Sequence, residues 1–219
     1  DEPLLLACRT GCPVVIAQDR VAAARYLETQ NVTVILSDDG LQHYALSRTV
    51  EIAVMDGQRG VGNGLCLPAG PLREPITRLQ EVDFVVVNGE TASRFRDDQI
   101  NMSIQPVHWV NVHTGNVEPL AYLPVGSYVH AVAGIGNPQR FFNTLHAIGY
   151  KIIEHVFPDH HAFVASDLVF GDDLVIVMTE KDAVKCSRFA QDNTFALIVA
   201  ATVPEPFLDA LLDKISRKN

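Results

Sequence analysis

The sequence lacks several features that mark common classes of protein. Its 219 residues contain only four cysteines and no C-x-x-C pair, so a disulfide scaffold is excluded and free thiols in a reducing compartment are expected. No apolar run approaches the ~20 residues that a membrane-spanning helix needs. No secretory signal is visible, and the chain begins at Asp1 rather than Met, so we expect processing or truncation.

Charge is also sparse and of one dominant sign. Only 20% of the residues are charged and the formal net charge is −9. This balance argues against nucleic acid as a partner, because broad neutralisation of phosphates needs a basic surface. The hydrophobic fraction of 47% is that of a globular protein, and the length predicts one or two domains.

Short apolar runs alternate with helical patterns along the chain. Strands are predicted at 13–17, 32–36, 50–55, 83–87, 128–133, 151–155, 174–178 and 196–200, and helices at 19–29, 138–148 and 206–218. Residues 104–123 alternate around a turn at Thr114-Gly115-Asn116, which predicts a β-ribbon. We therefore expect an α/β fold with parallel sheets covered on both faces.

The break in texture predicts how the chain is divided. Residues 1–103 would form one α/β unit, which is an incomplete domain, 104–123 a linking ribbon, and 124–219 a second, smaller α/β unit. The last helix, about 206–219, could pack on the first domain. Because ligands bind beyond the carboxyl ends of parallel strands, the residues that follow each apolar run are the candidates for function.

Asp38 and Asp39 follow the predicted strand 32–36 directly. Two adjacent carboxylates at a strand end need a cation or hydrogen bonds, and Mg²⁺ would serve. An apolar strand followed by acids is the Walker B arrangement of P-loop kinases. The alternative is that one of the two acids caps the next helix.

Asp159, His160 and His161 follow the strand at 151–155. A carboxylate beside an imidazole can orient it for acid–base work or for a metal. The alternative is a solvated loop with incidental histidines. Most of the other histidines, such as His130 and His146, are expected to be structural.

Two further strand ends could bind an anion. The segment Ala133-Gly134-Ile135-Gly136-Asn137-Pro138 opens a helix, where Asn137 could contact an anion or cap the helix. Thr179 with Asp182 resembles a capping box, and Lys181 between them could reach an anionic ligand. Ordinary helix capping is the alternative at both places.

The stretch 57–75, rich in Gly, Pro and Arg, is too long for a plain connector. Long ordered loops in compact domains are often binding loops, and Arg59 and Arg73 could contact phosphate. A loop that is merely packed on the surface explains the same composition equally well.

Taken together, these motifs resemble those of one family, the tetraacyldisaccharide 4′-kinases of lipid A synthesis. Six strings match in the family's order over nearly the whole chain. They are Asp1-Glu2-Pro3, Asp38 to His43, Asn63 to Glu74, Ala133 to Pro138 with Arg140-Phe141-Phe142, Phe157 to His161, and Thr179 to Lys185.

The resemblance implies a P-loop-kinase-like domain and a second α/β unit, with the active site in the cleft between them. It implies transfer of phosphate from ATP, with Mg²⁺, to the 4′-hydroxyl of an acylated glucosamine disaccharide 1-phosphate at the cytoplasmic face of the inner membrane. By position, Asp1 would be the catalytic base, supported by His160. Glu2 and Asp39 would hold Mg²⁺, with Asp38 as the neighbouring catalytic acid. Contacts to substrate or phosphate are implied for Arg59, Arg73, Asn137, His161 and Lys181.

The chain also departs from the family pattern. No G-x-x-x-x-G-K-[ST] motif, the Walker A loop, occurs in it. The match begins inside a G-D-E-P motif, so we expect that roughly the N-terminal third of a family member is missing, with the apolar segment that attaches it to the membrane. The chain alone is therefore expected not to turn over ATP. No obligate protein partner is evident.

Two rival functions stay open at this point. A metal-dependent phosphohydrolase could use a two-metal site if the acids and histidines converge, namely Asp38, Asp39, His43, Asp159, His160 and His161. The chain could also be a non-catalytic module that binds a nucleotide or a lipid-linked sugar.

Overall fold

The computed structural model describes residues 2–91 and 94–217, which fall into two compact units. The first unit consists of the residues up to 16 and of 106–200, and the second of 17–105 and the residues from 201 onward. These units show where contacts concentrate, not which segments fold independently. The domain boundaries at 103 and 123 therefore stay a prediction.

The elements alternate as an α/β protein requires. The α-helices are α1 Glu2–Thr10, α2 Arg20–Glu28, α3 Pro138–Ala147, α4 Glu180–Cys186 and α5 Glu205–Arg217. The strands are β1 Ile52–Asp56, β2 Phe84–Asn88, β3 Ile100–Asn111, β4 Val117–Pro119, β5 Tyr128–Ala133, β6 Lys151–Val156, β7 Val175–Thr179 and β8 Thr194–Thr202. A short 3₁₀ helix spans Ile76–Gln80.

The second unit contains a parallel sheet. β1 pairs with β2 from Ile52 opposite Phe84, and β2 pairs with the start of β3 at Val86 opposite Ile100. The buried residues of its core are Ala53, Leu79, Val82, Val85 and Val87. Helix α5 belongs to this unit, and the Phe207 ring lies edge-on to Phe84 with centroids 5.2 Å apart.

The first unit contains a parallel sheet with strand order β6-β5-β7-β8. Along β5, Ala131 and Ala133 belong to the core on one face, which includes Trp109, while Val132 belongs to the core on the other face. This alternation confirms that the strand is buried on both sides. β4 pairs antiparallel with the end of β3, around the predicted turn at 114–116.

Two of the predicted strands are not formed. Residues 13–17 and 32–36 have no regular secondary structure, and neither is paired as a strand within the described ranges 2–91 and 94–217. A strand requires a neighbour to take its backbone hydrogen bonds, which β-branched composition alone cannot supply. The side chains of Val34 and Leu36 are accordingly 45% and 89% exposed.

The α/β class predicted from the sequence is confirmed, as are the predicted helices, whose ends shift by one or two residues. Within the described part of the chain, none of the helices has the length and apolar character that crossing a bilayer would require.

Candidate active site residues in two clusters

In the second unit, the acidic pair lies in a tight turn after α2. Asp19 caps that helix, as predicted, by accepting from the backbone N–H groups of Val21 and Ala22 at 2.9 and 3.0 Å. Arg20, at the first position of α2, donates to the Ser37 hydroxyl at 3.3 Å and to the Asp38 carbonyl. Since residues 32–36 form no strand, this turn is held by Arg20 of α2 and not by a sheet.

Asp39 has a left-handed backbone, with φ of +48°, and its carboxylate is bound by Arg73. One guanidinium nitrogen of Arg73 lies 2.5 Å from Oδ1 and 2.7 Å from Oδ2 of Asp39. This hydrogen bond holds the pKa of Asp39 below its ordinary value, so the carboxylate is ionised at neutral pH. Asp39 does not cap a helix, since the next helical segment along the described chain begins only at Ile76.

The Arg73–Asp39 pair continues into a network that the sequence did not predict. Arg73 reaches the amide oxygen of Gln42 at 3.4 Å, and the Gln42 amide donates to Glu74 at 2.6 Å. Tyr44 donates to Glu74 as well, which lowers the pKa of the Glu74 carboxyl. The Arg73–Asp39 and Gln42–Glu74 contacts thus join the two matching motifs through side chains, and Arg78 lies 3.9 Å from Glu74.

The long loop that carries Arg73 is packed against itself. The Asn63 amide donates to the Ala69 carbonyl at 2.9 Å. A Cβ atom at Gly70 would lie 2.1 Å from the Asn63 side-chain oxygen and 2.3 Å from the Leu65 carbonyl, so only glycine fits there. Arg59, in contrast, is exposed and uses its backbone N–H to bind Asp56.

This turn offers the kind of ligands that Mg²⁺ takes. Asp38 and Asp39 are adjacent, exposed and acidic, and Mg²⁺ is commonly held by one or two carboxylates together with waters and phosphate oxygens. No group of three or more His, Cys, Asp or Glu side chains in 2–91 or 94–217 is arranged to hold a metal by itself. The donor set thus fits an ion that shares its coordination with a bound nucleotide.

In the first unit, the glycine-containing segment 133–138 is built around a buried carboxylate. Asp182 is fully buried and accepts from the Gly134 backbone N–H at 2.9 Å and from the Thr179 hydroxyl at 2.7 Å. Lys185 completes the group at 3.0 Å. Thr179 caps α4 as predicted, whereas Asp182 binds the glycine loop and so does more than complete a capping box.

Lys181 lies between two carboxylates near that loop. Its ammonium nitrogen is 2.8 Å from Glu2 Oε1 and 3.6 Å from Asp159 Oδ1. The hydrogen bond from Lys181 lowers the pKa of Glu2 from 4.5 to about 2. Asp159 also lies close to Gly136, where a Cβ atom would be 3.3 Å from its carboxylate.

The two histidines after Asp159 have different surroundings. His160 has a left-handed backbone and donates its N–H to Asp159 Oδ1 at 3.0 Å, and its ring is exposed. His161 is half-buried, packs on Phe157 and Phe163, and has its Nε2 3.0 Å from Asp167. Of the two, His160 presents its ring to solvent, where it can meet a ligand.

The structure thus groups most of the predicted residues into two clusters. Glu2, Asp159, His160 and Lys181 share one cluster in the first unit, and Asp38, Asp39 and Arg73 share another in the second. Asn137 is exposed at the start of α3 and makes no side-chain cap. Asp1, the predicted base, lies outside the described residues.

The rival phosphohydrolase is not favoured by this arrangement. The described residues contain no ready-made metal group, whereas a two-metal hydrolase needs one.

Comparisons with known proteins identify the family of this chain. The family model for tetraacyldisaccharide-1-P 4′-kinase (LpxK) matches residues 1–216. A tetraacyldisaccharide 4′-kinase of Alkalilimnicola ehrlichii is 51% identical over 213 residues, which are 94% of this chain and 61% of the relative. One of Pseudomonas fluorescens (strain Pf0-1) is 50% identical over 214 residues, 97% of this chain and 63% of the relative. The chain therefore spans a little under two thirds of the length of these curated relatives.

A solved structure supports the fold independently. The crystal structure of LpxK from Aquifex aeolicus in complex with ATP superposes with a TM-score of 0.74 over 98% of this chain and 68% of that one, at 24% sequence identity. With the family model matching almost every residue, the chain belongs to the tetraacyldisaccharide 4′-kinase family.

Proposed function

We propose that this chain forms part of an enzyme that transfers the γ-phosphate of ATP to the 4′-hydroxyl of a tetraacylated glucosamine disaccharide 1-phosphate. The observation that carries the proposal is the family match over residues 1–216, within which all the clustered residues lie. The hydroxyl oxygen would bond to the γ-phosphorus as the bond to the bridging oxygen breaks. The hydroxyl proton would pass to a base, and ADP would leave.

The second-unit cluster would neutralise charge in this reaction. Asp39 would hold Mg²⁺, as the resemblance also implies for Glu2, and Asp38 would be the neighbouring acid of the Walker B arrangement. When bound, this ion offsets negative charge on the phosphate oxygens. Arg73 would contribute a guanidinium to the same oxygens, since its fork matches phosphate geometry and its present partner is an exposed carboxylate.

The first-unit cluster would handle the acceptor. Asp1 would take the proton from the 4′-hydroxyl, and His160 would support it. Three contacts support this proposal: the His160 backbone N–H bonds Asp159, and the Lys181 ammonium lies 3.6 Å from Asp159 and 2.8 Å from Glu2. A carboxylate near the attacking hydroxyl is what phosphoryl transfer to an alcohol requires.

The substrate class sets where the enzyme would act. A tetraacylated disaccharide resides in a lipid surface, so we propose that the enzyme works at the cytoplasmic face of the inner membrane. Asn137, His161 and Arg59 are proposed to contact the lipid sugar or its phosphate. The net charge of −9 supports no role for nucleic acid.

The test uses a chimera, because the chain spans only part of its relatives. Residues 1–219 are joined to the portion of the Alkalilimnicola ehrlichii relative that lies outside the match, and transfer of labelled phosphate from ATP to the disaccharide 1-phosphate is measured. We expect activity that Asp39→Ala lowers by at least about 100-fold, since one metal-holding carboxylate is lost. Asp213→Ala, in an exposed ion pair of α5, is the control and should retain it.

Residues 1–219 alone are expected to show no transfer, because no Walker A motif is present in them. That expectation would be overturned if the isolated chain transferred phosphate and Asp39→Ala abolished this activity. A chimera that binds the disaccharide but never phosphorylates it would instead support a non-catalytic binding module.

A further inference from the structure

Helix α1 is attached to α4 by an ion pair at each of its ends. At its start, Glu2 binds Lys181, with 2.8 Å between the charged atoms. At its other end, Arg9 binds Glu180 through two parallel contacts, each of 2.7 Å. Glu180 and Lys181 are consecutive residues at the start of α4. Their two side chains therefore bind the two ends of α1, Glu180 through Arg9 and Lys181 through Glu2. We call these four residues the α1 clamp.

The clamp matters because α1 is only partly packed, with Pro3, Leu5 and Ala7 half-buried. None of its nine residues is buried, and an isolated helix of this length is not stable in water. Arg9 adds one further anchor by donating to the Val199 carbonyl at 3.0 Å. The position of the first turn of α1, which carries Glu2, therefore depends strongly on Lys181.

Lys181 also reaches the loop that carries His160. Its ammonium lies 3.6 Å from Asp159, and Asp159 accepts the backbone N–H of His160 at 3.0 Å. One side chain thus lies between the first turn of α1 and the backbone of the histidine loop. The side chain of Lys181 is only 19% exposed, which restricts its movement.

The base of Lys181 is fixed by its neighbour. Asp182 is fully buried and binds the Gly134 backbone, the Thr179 hydroxyl and Lys185. The start of α4 is therefore tied to the sheet. Lys181 thus projects from a helix start that is bound to the sheet toward α1 and the loop that carries His160.

The local charge argues against a direct phosphate contact by Lys181. Two carboxylates surround one ammonium, so the group of three carries a net charge of about −1, which does not attract an anion. One of the three ammonium hydrogens already has its acceptor in Glu2, and Asp159 lies 3.6 Å from the same ammonium. These contacts suit a lysine that orders its neighbours.

We infer that Lys181 is a positioning residue, which holds the first turn of α1 and the Asp159–His160 loop in register for the reaction. Its effect on the reaction is indirect, through Glu2 and His160. The inference rests on the proposed function for the meaning of that register, while the clamp itself can be tested without any catalysis.

The first experiment measures amide hydrogen exchange in α1 and in residues 159–161 of the chimera and its variants, without substrates. Lys181→Met should raise exchange in both segments together by about two- to fivefold, the range expected for loss of a partly exposed ion pair. Lys181→Arg should restore slow exchange in both, because it retains the charge and can span the same gap. Unchanged exchange in Lys181→Met would overturn the inference.

The other end of the clamp supplies a check that leaves Lys181 intact. Arg9→Glu should raise amide exchange at the end of α1. Adding Glu180→Arg should restore slow exchange there, since the pair is rebuilt with its charges reversed. If Lys181→Met is too unstable to measure, this pair still decides whether ion pairs hold α1. Failure of the double variant to recover slow exchange would contradict the clamp.

The second experiment uses the kinase assay above. A positioning role predicts that Lys181→Met lowers kcat with KM for ATP and for the disaccharide nearly unchanged, and that Lys181→Arg recovers most of kcat. A raised KM together with unaltered α1 exchange would make Lys181 a substrate contact and refute the inference. If the native chimera has no activity, the proposed function fails, and the exchange results alone decide whether the clamp exists.

Discussion

Arg73 holds both carboxylate oxygens of Asp39 with one guanidinium nitrogen, at 2.5 and 2.7 Å. The arginine therefore occupies the carboxylate that is proposed to hold a divalent cation. Because the side chains of both residues are more than half exposed, the pair is weak enough for a cation to displace it. Arg73 and the metal should compete for Asp39 in the absence of nucleotide.

This competition predicts a gain of affinity in an arginine variant. Arg73→Gln should bind Mn²⁺, used as a probe for Mg²⁺, about two- to fivefold more tightly than the native chain, which corresponds to the free energy of an exposed ion pair. Electron paramagnetic resonance of free Mn²⁺ measures the change. Arg25→Gln, on the exposed surface of α2, is the control with the same loss of charge. Equal or weaker binding by Arg73→Gln would show that Arg73 does not compete.

The buried carboxylate of Asp182 predicts a large loss of stability. Asp182→Ala would leave Lys185 and the Gly134 backbone N–H without their acceptor in a dry environment, at a cost of about 3 kcal/mol in the free energy of unfolding. Urea unfolding can be followed through Trp109, the only tryptophan, which is fully buried in the first unit.

A matched control separates this effect from a general loss of negative charge. Asp192 is in the same unit, with its side chain 88% exposed, and Asp192→Ala should change the free energy of unfolding by less than about 0.5 kcal/mol. Equal effects of the two substitutions would contradict the role given to Asp182.

Two neighbouring histidines that stack on one phenylalanine predict a loss of folding stability in acid. His130 is buried, its Nδ1 lies 2.9 Å from His155 Nε2, and both rings stack on Phe170 with centroids 4.1 Å apart. Burial, and then the neighbouring His130, lower the pKa of His155 below 6.5. The folded state disfavours the charged ring, so the stability is fully present above pH 6.5 and is lost as pH falls through the lower pKa of the folded state.

His155→Gln removes the titrating ring and should flatten the fall in stability between pH 7 and about pH 5. Urea midpoints at several pH values measure the slope. Asp172, which contacts His130 at 3.1 Å, also has a lowered pKa, but it titrates below 3.8 and so outside this window. His146→Gln, exposed on α3, should leave the native slope unchanged. The explanation fails if the slope persists in His155→Gln.

Much of the fold could be predicted from the sequence, and the errors have one cause. Runs such as 84–88 and 128–133 are strands because neighbouring strands take their hydrogen bonds. Residues 32–36 have the same β-branched composition but no paired neighbour in the described ranges, so they form no strand and are largely exposed. Composition records the preference of a segment, whereas strand formation also depends on what lies beside it.

The sequence predicts candidate residues for the site but not the contacts between them. Asp39, Arg73, Glu2, Lys181 and His160 stand in motifs whose order along the chain identifies the family. The contacts of Lys181 with Glu2 and Asp159 join positions that are far apart in the chain, and no spacing in the sequence encodes them. The spacing of Thr179 and Asp182 predicts a capping box, but it does not predict the bond of Asp182 to Gly134, which is equally distant in the chain.

The most direct test of the central claim is the identity of the product. When the chimera is incubated with ATP, Mg²⁺ and tetraacyldisaccharide 1-phosphate, phosphorus NMR should show a second phosphate on the 4′-oxygen, with one ADP formed per product molecule. The product should vanish with Asp39→Ala and persist with Asp213→Ala. Release of inorganic phosphate with no 4′-phosphorylated lipid, or undiminished product from Asp39→Ala, would contradict the account.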